Sequence, residues 1–269
     1  MSNTLDQFYT PTSYAQQCIK AVDDIYGISS FDTIIEPSAG TGAFSDHLPA
    51  HRLAIDLDPK GNNVKQQDFF EFFMPLAKNT LFIGNPPYGR RGSLATRFFN
   101  HAAKYAQVIA FILPRGFVRP ALQNTLDPHF HLQCEDRCED FILPTGETHK
   151  VRSVFQIWER SLHTRDIVTP PEEHADFQLF HRHISWITNT ELADIRKAYP
   201  ICIGQNNLTV KPSSEVKSGS VWFIKPLNDD VIDNFYAADF QFVKDDATAA
   251  PSLSKADIVK GYTNVKTRT

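Results

Sequence analysis

Four consecutive residues carry the groups needed to hold a planar amine. Asn85 follows an apolar segment and offers an amide oxygen, while the two prolines after it stiffen the backbone and remove two N–H donors. The amide oxygen of Asn85 and the carbonyl of Pro86 can accept the two hydrogens of an exocyclic amine and so direct its lone pair. Tyr88 can stack on a base that has left its helix. We therefore predict Asn85, Pro86, Pro87 and Tyr88 as a catalytic loop; a plain turn capping a strand is the alternative.

A glycine-containing turn, residues 36–44, follows the apolar segment that ends at Ile35. Glycines let the backbone approach a ligand closely, and ligands bind where parallel strands turn into helices. Glu36 could take the ammonium group of a bound amino acid. A dinucleotide site would need G-x-G-x-x-G, and this turn has only G-x-G. We expect a helix after the turn, and the predicted ligand contacts are Glu36, Pro37, Ser38, Ala39, Gly40 and Gly42.

Two further carboxylates follow in the order of the predicted strands. Asp56 ends the second apolar segment, where it can accept both hydroxyls of a ribose, with Asp58 as the second choice. Asp68 can accept an N–H of an adenine amine, and Phe69 can stack on the same ring. Each acid alone could be a helix cap or a surface residue. Three acids at successive strand ends favour a nucleoside-containing ligand.

Short apolar runs bounded by turn residues alternate with segments of helical periodicity. The runs are typical of buried parallel strands, and they comprise residues 33–35, 53–55, 81–83, 108–113, 141–143 and 154–158. Apolar spacing predicts helices over residues 12–26 and 94–105. The alternation predicts an α/β doubly wound domain. The last two runs are too close for an intervening helix, so we predict an antiparallel hairpin there.

The pattern changes after about residue 165. We predict a main domain over residues 1–165 and a small C-terminal α+β region over residues 166–269. No apolar run approaches the ~20 residues that span a bilayer, so no membrane contact is expected. Residues 1–6 do not resemble a signal peptide, which predicts an intracellular protein, cytoplasmic or associated with the nucleoid or nucleus.

Charge and cysteine content constrain the partners only weakly. The net charge is −4, and a total says nothing about its distribution. Basic residues beside the predicted site, namely Arg90, Arg91 and Arg115, are predicted to contact nucleic acid; ordinary solvated surface is the alternative. The group His129, His131, Cys134 and Cys138 could bind zinc, but Cys-x2-Cys spacing is absent and acids crowd the segment, so we predict no metal.

Residues 5–160 resemble the amino-group adenine methyltransferases in which cofactor motifs precede the catalytic motif. Asn85 to Tyr88 is similar to the signature of that family, and Glu36, Asp56 and Asp68 match its three cofactor motifs in order. Residues at the N-terminus, Phe8, Tyr9, Thr10 and Pro11, are similar to a further cofactor motif. The resemblance implies a Rossmann-like seven-stranded class I methyltransferase sheet with S-adenosylmethionine as cofactor. The fuller pattern is also similar to stand-alone enzymes of large DNA viruses and phages.

The resemblance implies transfer to the N6 amine of adenine, with DNA favoured as substrate. RNA is the main alternative because the signature contacts only a flipped base. Cytosine N4 or a glutamine amide is less favoured, and a non-catalytic subunit of the same fold is a further alternative. Two departures bear on specificity: the loop over residues 144–150 has no aromatic residue, only His149, and residues 166–269 form a small region for target recognition. The sequence leaves the oligomeric state open.

Overall fold

The computed structural model describes residues 9–75, 79–143, 145–247 and 252–267. The chain separates into two compact units, Met1–Val168 and Thr169–Thr269. This boundary lies near the change of pattern at residue 165. Each unit has its own buried clusters of hydrophobic side chains.

The first unit is built on a seven-stranded sheet with the strand order β3-β2-β1-β4-β5-β7-β6. Its strands are β1 Thr33–Glu36, β2 Leu53–Asp56, β3 Lys65–Gln66, β4 Thr80–Gly84, β5 Val108–Pro114, β6 Phe130–Ile142 and β7 Thr148–Arg160. Strands β1 to β5 are parallel, and β7 runs antiparallel to both β5 and β6. This order with a reversed β7 defines the Rossmann-like class I methyltransferase sheet, so the predicted fold class is confirmed.

Helices cover both faces of this sheet. They are α1 Thr12–Tyr26, α2 Ser93–Ala102 and the short α3 Pro120–Gln123. Helix α1 has the predicted bounds, and its apolar side packs with Ile34 and Leu81 on one face. Helix α2 packs with Ile35 and Phe82 on the other. Because neighbouring strand residues point to opposite faces, both sides of the central strands must be apolar.

Two elements differ from the prediction. Residues Ser45–His47 form only a short 3-10 turn where a helix was expected, because β2 already begins at Leu53 and leaves too little chain for a helical crossover. The strand predicted at residues 141–143 is much longer in the structure, where β6 extends over Phe130–Ile142. Its polar side chains are tolerated because β6 is the edge strand and its ladder with β7 supplies the hydrogen bonds.

The second unit has a four-stranded antiparallel sheet with the order β10-β9-β11-β8. Its strands are β8 Phe177–His183, β9 Ile201–Gly204, β10 Val210–Pro212 and β11 Ser220–Pro226, and its helices are α4 Asn189–Ala198, α5 Val231–Ala237, α6 Phe242–Asp245 and α7 Lys255–Lys266. Helices α5 and α7 cover one face and α4 the other. Capping boxes start α4 at Thr188 and α7 at Ser254.

Candidate active site

A cavity of about 330 Å³ opens at the carboxyl edge of the parallel strands in the first unit. Strand β1 ends at Glu36 and β2 at Asp56, while Asp68 follows β3 and Asn85 follows β4. The predicted site residues that line the cavity are Tyr9, Thr10, Glu36, Pro37, Ser38, Ala39, Gly40, Asp56, the second-choice Asp58, Asp68, Phe69, Asn85, Pro86, Pro87 and Tyr88. The topology therefore brings together motifs that are spread over eighty residues of sequence.

Some predicted residues lie outside the cavity lining. Pro11 precedes the first turn of α1, where its fixed φ suits a helix start. Gly42 shapes the turn with a φ of 92° and donates its N–H to the carbonyl of Ala39 at 2.8 Å. Phe8 lies outside the described residues.

The lining also includes residues that the sequence did not single out. Phe70, Leu94 and Phe98 contribute apolar wall next to Phe69. Leu94 and Phe98 are four residues apart on α2 and read as ordinary core positions from their spacing. The guanidinium of Arg97 lies 4.3 Å from the centre of the Phe70 ring and adds positive charge beside this wall.

Glu36 is a buried carboxyl at the floor of the cavity. Its side chain is 1% exposed, and Oε2 accepts the backbone N–H of Ser45 at 2.9 Å. Burial raises the pKa of Glu36 to about 8, although hydrogen bonds from Ser45 and Phe44 oppose the shift. A cation bound in the cavity would restore the ionised form, so the position suits an ammonium group.

The turn after Glu36 is closely covered by the N-terminal segment. A Cβ on Gly40 would lie 3.0 Å from Cε1 of Tyr9, and Gly40 has a φ of +52°. Tyr9 and Ile142 exchange two backbone hydrogen bonds, each 2.8 Å long. The end of β6 therefore holds Tyr9 over the glycine turn, and this tertiary contact together with the positive φ favours glycine at this position.

The two aspartates are held by backbone donors. The carboxylate of Asp56 accepts the N–H of Gly40 at 2.7 Å on Oδ2 and that of Asp58 at 2.8 Å on Oδ1. Oδ1 of Asp68 accepts the N–H of Phe70 at 2.8 Å. An ionised carboxylate offers about four acceptor sites. Both side chains therefore retain acceptor capacity towards the cavity while the backbone fixes their orientation.

Phe69 is buried rather than open to the cavity. Its side chain is 3% exposed and packs against Phe98 at a ring distance of 5.0 Å and His101 at 4.8 Å. Burial lowers the pKa of His101, which favours the neutral imidazole in this aromatic cluster. Phe69 still contributes to the cavity wall. Stacking on a ligand ring would use only the face of Phe69 on that side.

The loop from Asn85 to Tyr88 is held at both ends. The hydroxyl of Ser38 donates to the backbone carbonyl of Asn85 at 3.2 Å, which joins this loop to the glycine turn. The carbonyl of Tyr88 accepts the N–H groups of Leu94 and Ala95 at 3.1 and 3.3 Å, at the start of α2. The phenol of Tyr88 lies 2.8 Å from the hydroxyl of Ser153 on β7. A rigid, proline-containing loop at the cavity results.

The predicted nucleic-acid contacts separate into two groups. Arg90 and Arg91 are exposed directly after the loop, and Arg91 has a φ of 54°. A left-handed conformation is costly for a bulky residue, so the surrounding turn must impose it. The prediction for Arg115 is wrong: the residue is 4% exposed and its side chain donates to backbone carbonyls inside the protein.

Neither a cluster of metal-binding side chains nor a membrane-spanning helix occurs in the described part of the chain. Across residues 9–75, 79–143, 145–247 and 252–267, no group of three His, Cys, Asp or Glu residues is arranged to bind a metal. His129 instead contacts Asp127, and His131 contacts the carbonyl of His163. Over the same ranges, no helix has the length and apolar character of a membrane span.

The strand order and directions of the first unit are those of a Rossmann-like class I methyltransferase fold. Neither a family model nor a curated protein matches the chain. Among solved structures, it is similar to a candidate RNA methyltransferase from Pyrococcus horikoshii, with 17% identity, a TM-score of 0.46 and coverage of 59% of this chain and 88% of the other.

Two further solved structures show comparable similarity. A candidate class I S-adenosylmethionine-dependent methyltransferase from Listeria monocytogenes has 13% identity and a TM-score of 0.42, covering 61% of this chain and 64% of the other. The 23S rRNA methyltransferase ErmE has 15% identity and a TM-score of 0.40, covering 59% and 71%. The fold assignment rests on the strand order and directions.

Proposed function

We propose that this chain is an S-adenosylmethionine-dependent methyltransferase that modifies the N6 amine of adenine in nucleic acid, with DNA as the favoured substrate. One observation carries the proposal: a single cavity is lined by the Asn85 to Tyr88 loop and by the three carboxylates Glu36, Asp56 and Asp68. This combination offers acceptors for an amine beside acceptors for an amino acid and a nucleoside.

The cavity fits the proposed cofactor group by group. S-adenosylmethionine would supply an electrophilic methyl group from a sulfonium centre and would leave as a neutral thioether, while the methylated amine would lose one proton to solvent. Glu36 would bind its ammonium, since a buried carboxyl with a raised pKa gains most from a cationic partner. Asp56 would accept the ribose hydroxyls, and Asp68 and Phe69 would hold the adenine. The glycine turn lets the backbone approach the ligand closely.

Catalysis in this proposal is positioning by a rigid loop. An exocyclic amine is a poor nucleophile because its lone pair is delocalised into the ring. The amide oxygen of Asn85 and the carbonyl of Pro86 accept its two hydrogens and favour tetrahedral geometry at nitrogen. Tyr88 stacks on the base and completes the alignment. Since the backbone of the loop at Asn85 and the phenol of Tyr88 are already held by protein contacts, little reorganisation is needed at the moment of reaction.

The catalytic loop does not distinguish DNA from RNA. It contacts only a base, so the sugar and the recognition sequence must be recognised elsewhere. We propose that the second unit serves target recognition or an accessory role.

The proposed function is tested by transfer of labelled methyl to duplex DNA, single-stranded DNA and RNA of defined sequence, followed by nucleoside analysis. We expect N6-methyladenine in DNA. Product in RNA alone would change the substrate class. The proposal would be refuted if no acceptor is methylated and S-adenosylmethionine does not bind.

Cofactor affinity should rise with pH up to about pH 8. Burial raises the pKa of Glu36 to about 8, so its carboxyl is mostly protonated at pH 6 to 7. A bound ammonium favours the ionised form, and binding therefore releases a proton. Affinity should increase by at most about tenfold per pH unit below pH 8, and the gain should end where the α-amino group, with a pKa of about 8, loses its own proton.

Calorimetry in buffers of different ionisation enthalpy measures both the affinity and the released proton. Glu36→Gln provides the control, because an amide does not titrate and its weaker binding should depend little on pH. A wild-type affinity that stays constant from pH 6 to pH 8 would contradict this role of Glu36.

Removing both charges next to the loop should weaken nucleic-acid binding. Arg90 and Arg91 are exposed, and each phosphate contact releases condensed counterions. Replacing both by glutamine should make the slope of log affinity against log salt shallower by about 2. The matched control replaces two other exposed lysines by glutamine: Lys20, which lies on α1, and Lys104, which follows α2. Binding assays across a salt series decide the point, and equal slopes for both double variants would argue against phosphate contacts.

A further inference from the structure

Arg115 follows the last residue of β5 and lies inside the first unit. Pro114 pairs with Ser153 of β7, but a proline has no N–H to donate. The guanidinium of Arg115 supplies donors instead: Nε donates to the carbonyl of Ser153 at 2.9 Å, and Nη2 donates to the carbonyl of Cys138 at 3.3 Å. Arg115 thus joins β7 and β6 where the hairpin extends past the end of β5.

The hairpin of β6 and β7 is irregular at this point, so side-chain contacts contribute more to holding the two strands together. Cys138 pairs with Ser153, and a register shift follows between Cys138 and Asp140. Nη2 of Arg115 also lies 3.5 Å from Oε1 of Glu139, whose side chain is 44% exposed. The rigid fork of a guanidinium can serve several acceptors at once, so a single side chain fixes both strands.

Ser153 transmits this fixed position to the cavity. Its hydroxyl donates to the carbonyl of Val151 at 3.1 Å. The same hydroxyl lies 2.8 Å from the phenol oxygen of Tyr88, a hydrogen bond in which either group can donate. Tyr88 is 8% exposed and lines the cavity. Tyr88 is therefore held at two points: its phenol hydroxyl contacts Ser153, and its backbone carbonyl accepts N–H groups at the start of α2.

We infer that Arg115 and Ser153 are positioning residues that hold the ring of Tyr88 in place for stacking on the target base. The inference rests on the proposed function. Burying a guanidinium costs free energy unless its donors are satisfied, and an apolar side chain could fill the same space at a lower free-energy cost. The donors of Arg115 reach the carbonyl of Ser153, the residue whose hydroxyl holds Tyr88. A preorganised ring favours a stacked base because little freedom is lost on binding.

The kinetic test uses Tyr88→Phe, Ser153→Ala and their combination in the full chain. Each single variant should lower the single-turnover rate of methyl transfer about 5- to 10-fold, as expected for one hydrogen bond. The double variant should be no slower than the slower single variant, because both changes remove the same bond. Cofactor affinity should stay within twofold. Wild-type rates in the single variants, or additive losses in the double, would overturn the inference.

Two spectroscopic readouts separate positioning from stability. With 2-aminopurine as the target base of the nucleic acid that the wild-type chain methylates, Ser153→Ala and Arg115→Gln should leave the base less quenched than in the wild type. NMR of 13C-labelled tyrosine, with Tyr88 assigned by its loss in Tyr88→Phe, should show altered Tyr88 ring signals in both variants and not in Lys20→Gln. Unmoved Tyr88 signals would overturn the inference.

The same experiments keep the two proposals distinct. If the wild-type chain methylates no acceptor, the proposed function fails, while the NMR arm still decides whether Arg115 and Ser153 hold the Tyr88 ring. If Arg115→Gln does not fold, Ser153→Ala carries the test by itself, since it removes only one hydroxyl from a side chain buried in β7.

Discussion

Replacing Asn85 by alanine should lower the rate of methyl transfer by about 10²-fold or more while leaving cofactor affinity nearly unchanged. The amide oxygen of Asn85 is buried at the cavity, and its contact with the amine strengthens as positive charge develops on nitrogen. Removing one such preorganised group typically costs this much. Single-turnover kinetics at saturating cofactor measure the rate, and calorimetry measures the affinity.

The outcome distinguishes a catalytic role from a structural one. The control is Asn264→Ala, which changes an exposed asparagine in the second unit and should leave the rate unchanged. If Asn85→Ala abolishes cofactor binding instead, Asn85 belongs to the cofactor site. If it leaves the transfer rate within a few-fold of the wild type, the proposed mechanism is wrong.

Replacing Asp56 by alanine should have the opposite signature. Two hydrogen bonds from ribose hydroxyls to a charged acceptor would be lost, and the N–H groups of Gly40 and Asp58 would lose their partner. We expect cofactor affinity to fall by about 10²-fold, which corresponds to about 2.7 kcal/mol. The transfer rate at saturating cofactor should change much less, because Asp56 is not in the catalytic loop.

Asp56→Asn is the matched control for shape. It retains an acceptor oxygen for a backbone N–H but loses the charge, so we expect an intermediate loss of about tenfold. Calorimetric titration with S-adenosylmethionine measures all three proteins. An affinity within twofold of the wild type in Asp56→Ala would place the ribose elsewhere and would remove one of the supports for the proposed cofactor.

Local chemistry was readable from the amino-acid order. The bounds of α1, the order of strand-end acids and the stiff loop after β4 follow from residue types a few positions apart, because periodicity and proline act over short range. The reversed β7 was also predictable, since the short turn before it leaves no room for a crossover helix. These features define the fold class and most of the cavity lining.

Features that depend on distant segments could not be read in this way. Arg115 was predicted to contact nucleic acid, yet its position directly after β5 directs it to carbonyls of β6 and β7. Likewise, α2 packing brings Leu94 and Phe98 to the cavity, although their spacing resembles any buried helix face.

The polar segment of β6 shows the same limit. Its exposed residues carry no strong strand pattern, and pairing with β7 over the full length of the hairpin makes it a strand. The end of that strand then holds Tyr9 over Gly40. Short-range propensities thus specify the chemical groups and the elements that bear them. Burial, pairing partners and hydrogen-bond acceptors come from segments far apart in the chain, and these decide which group faces the cavity and which supports it.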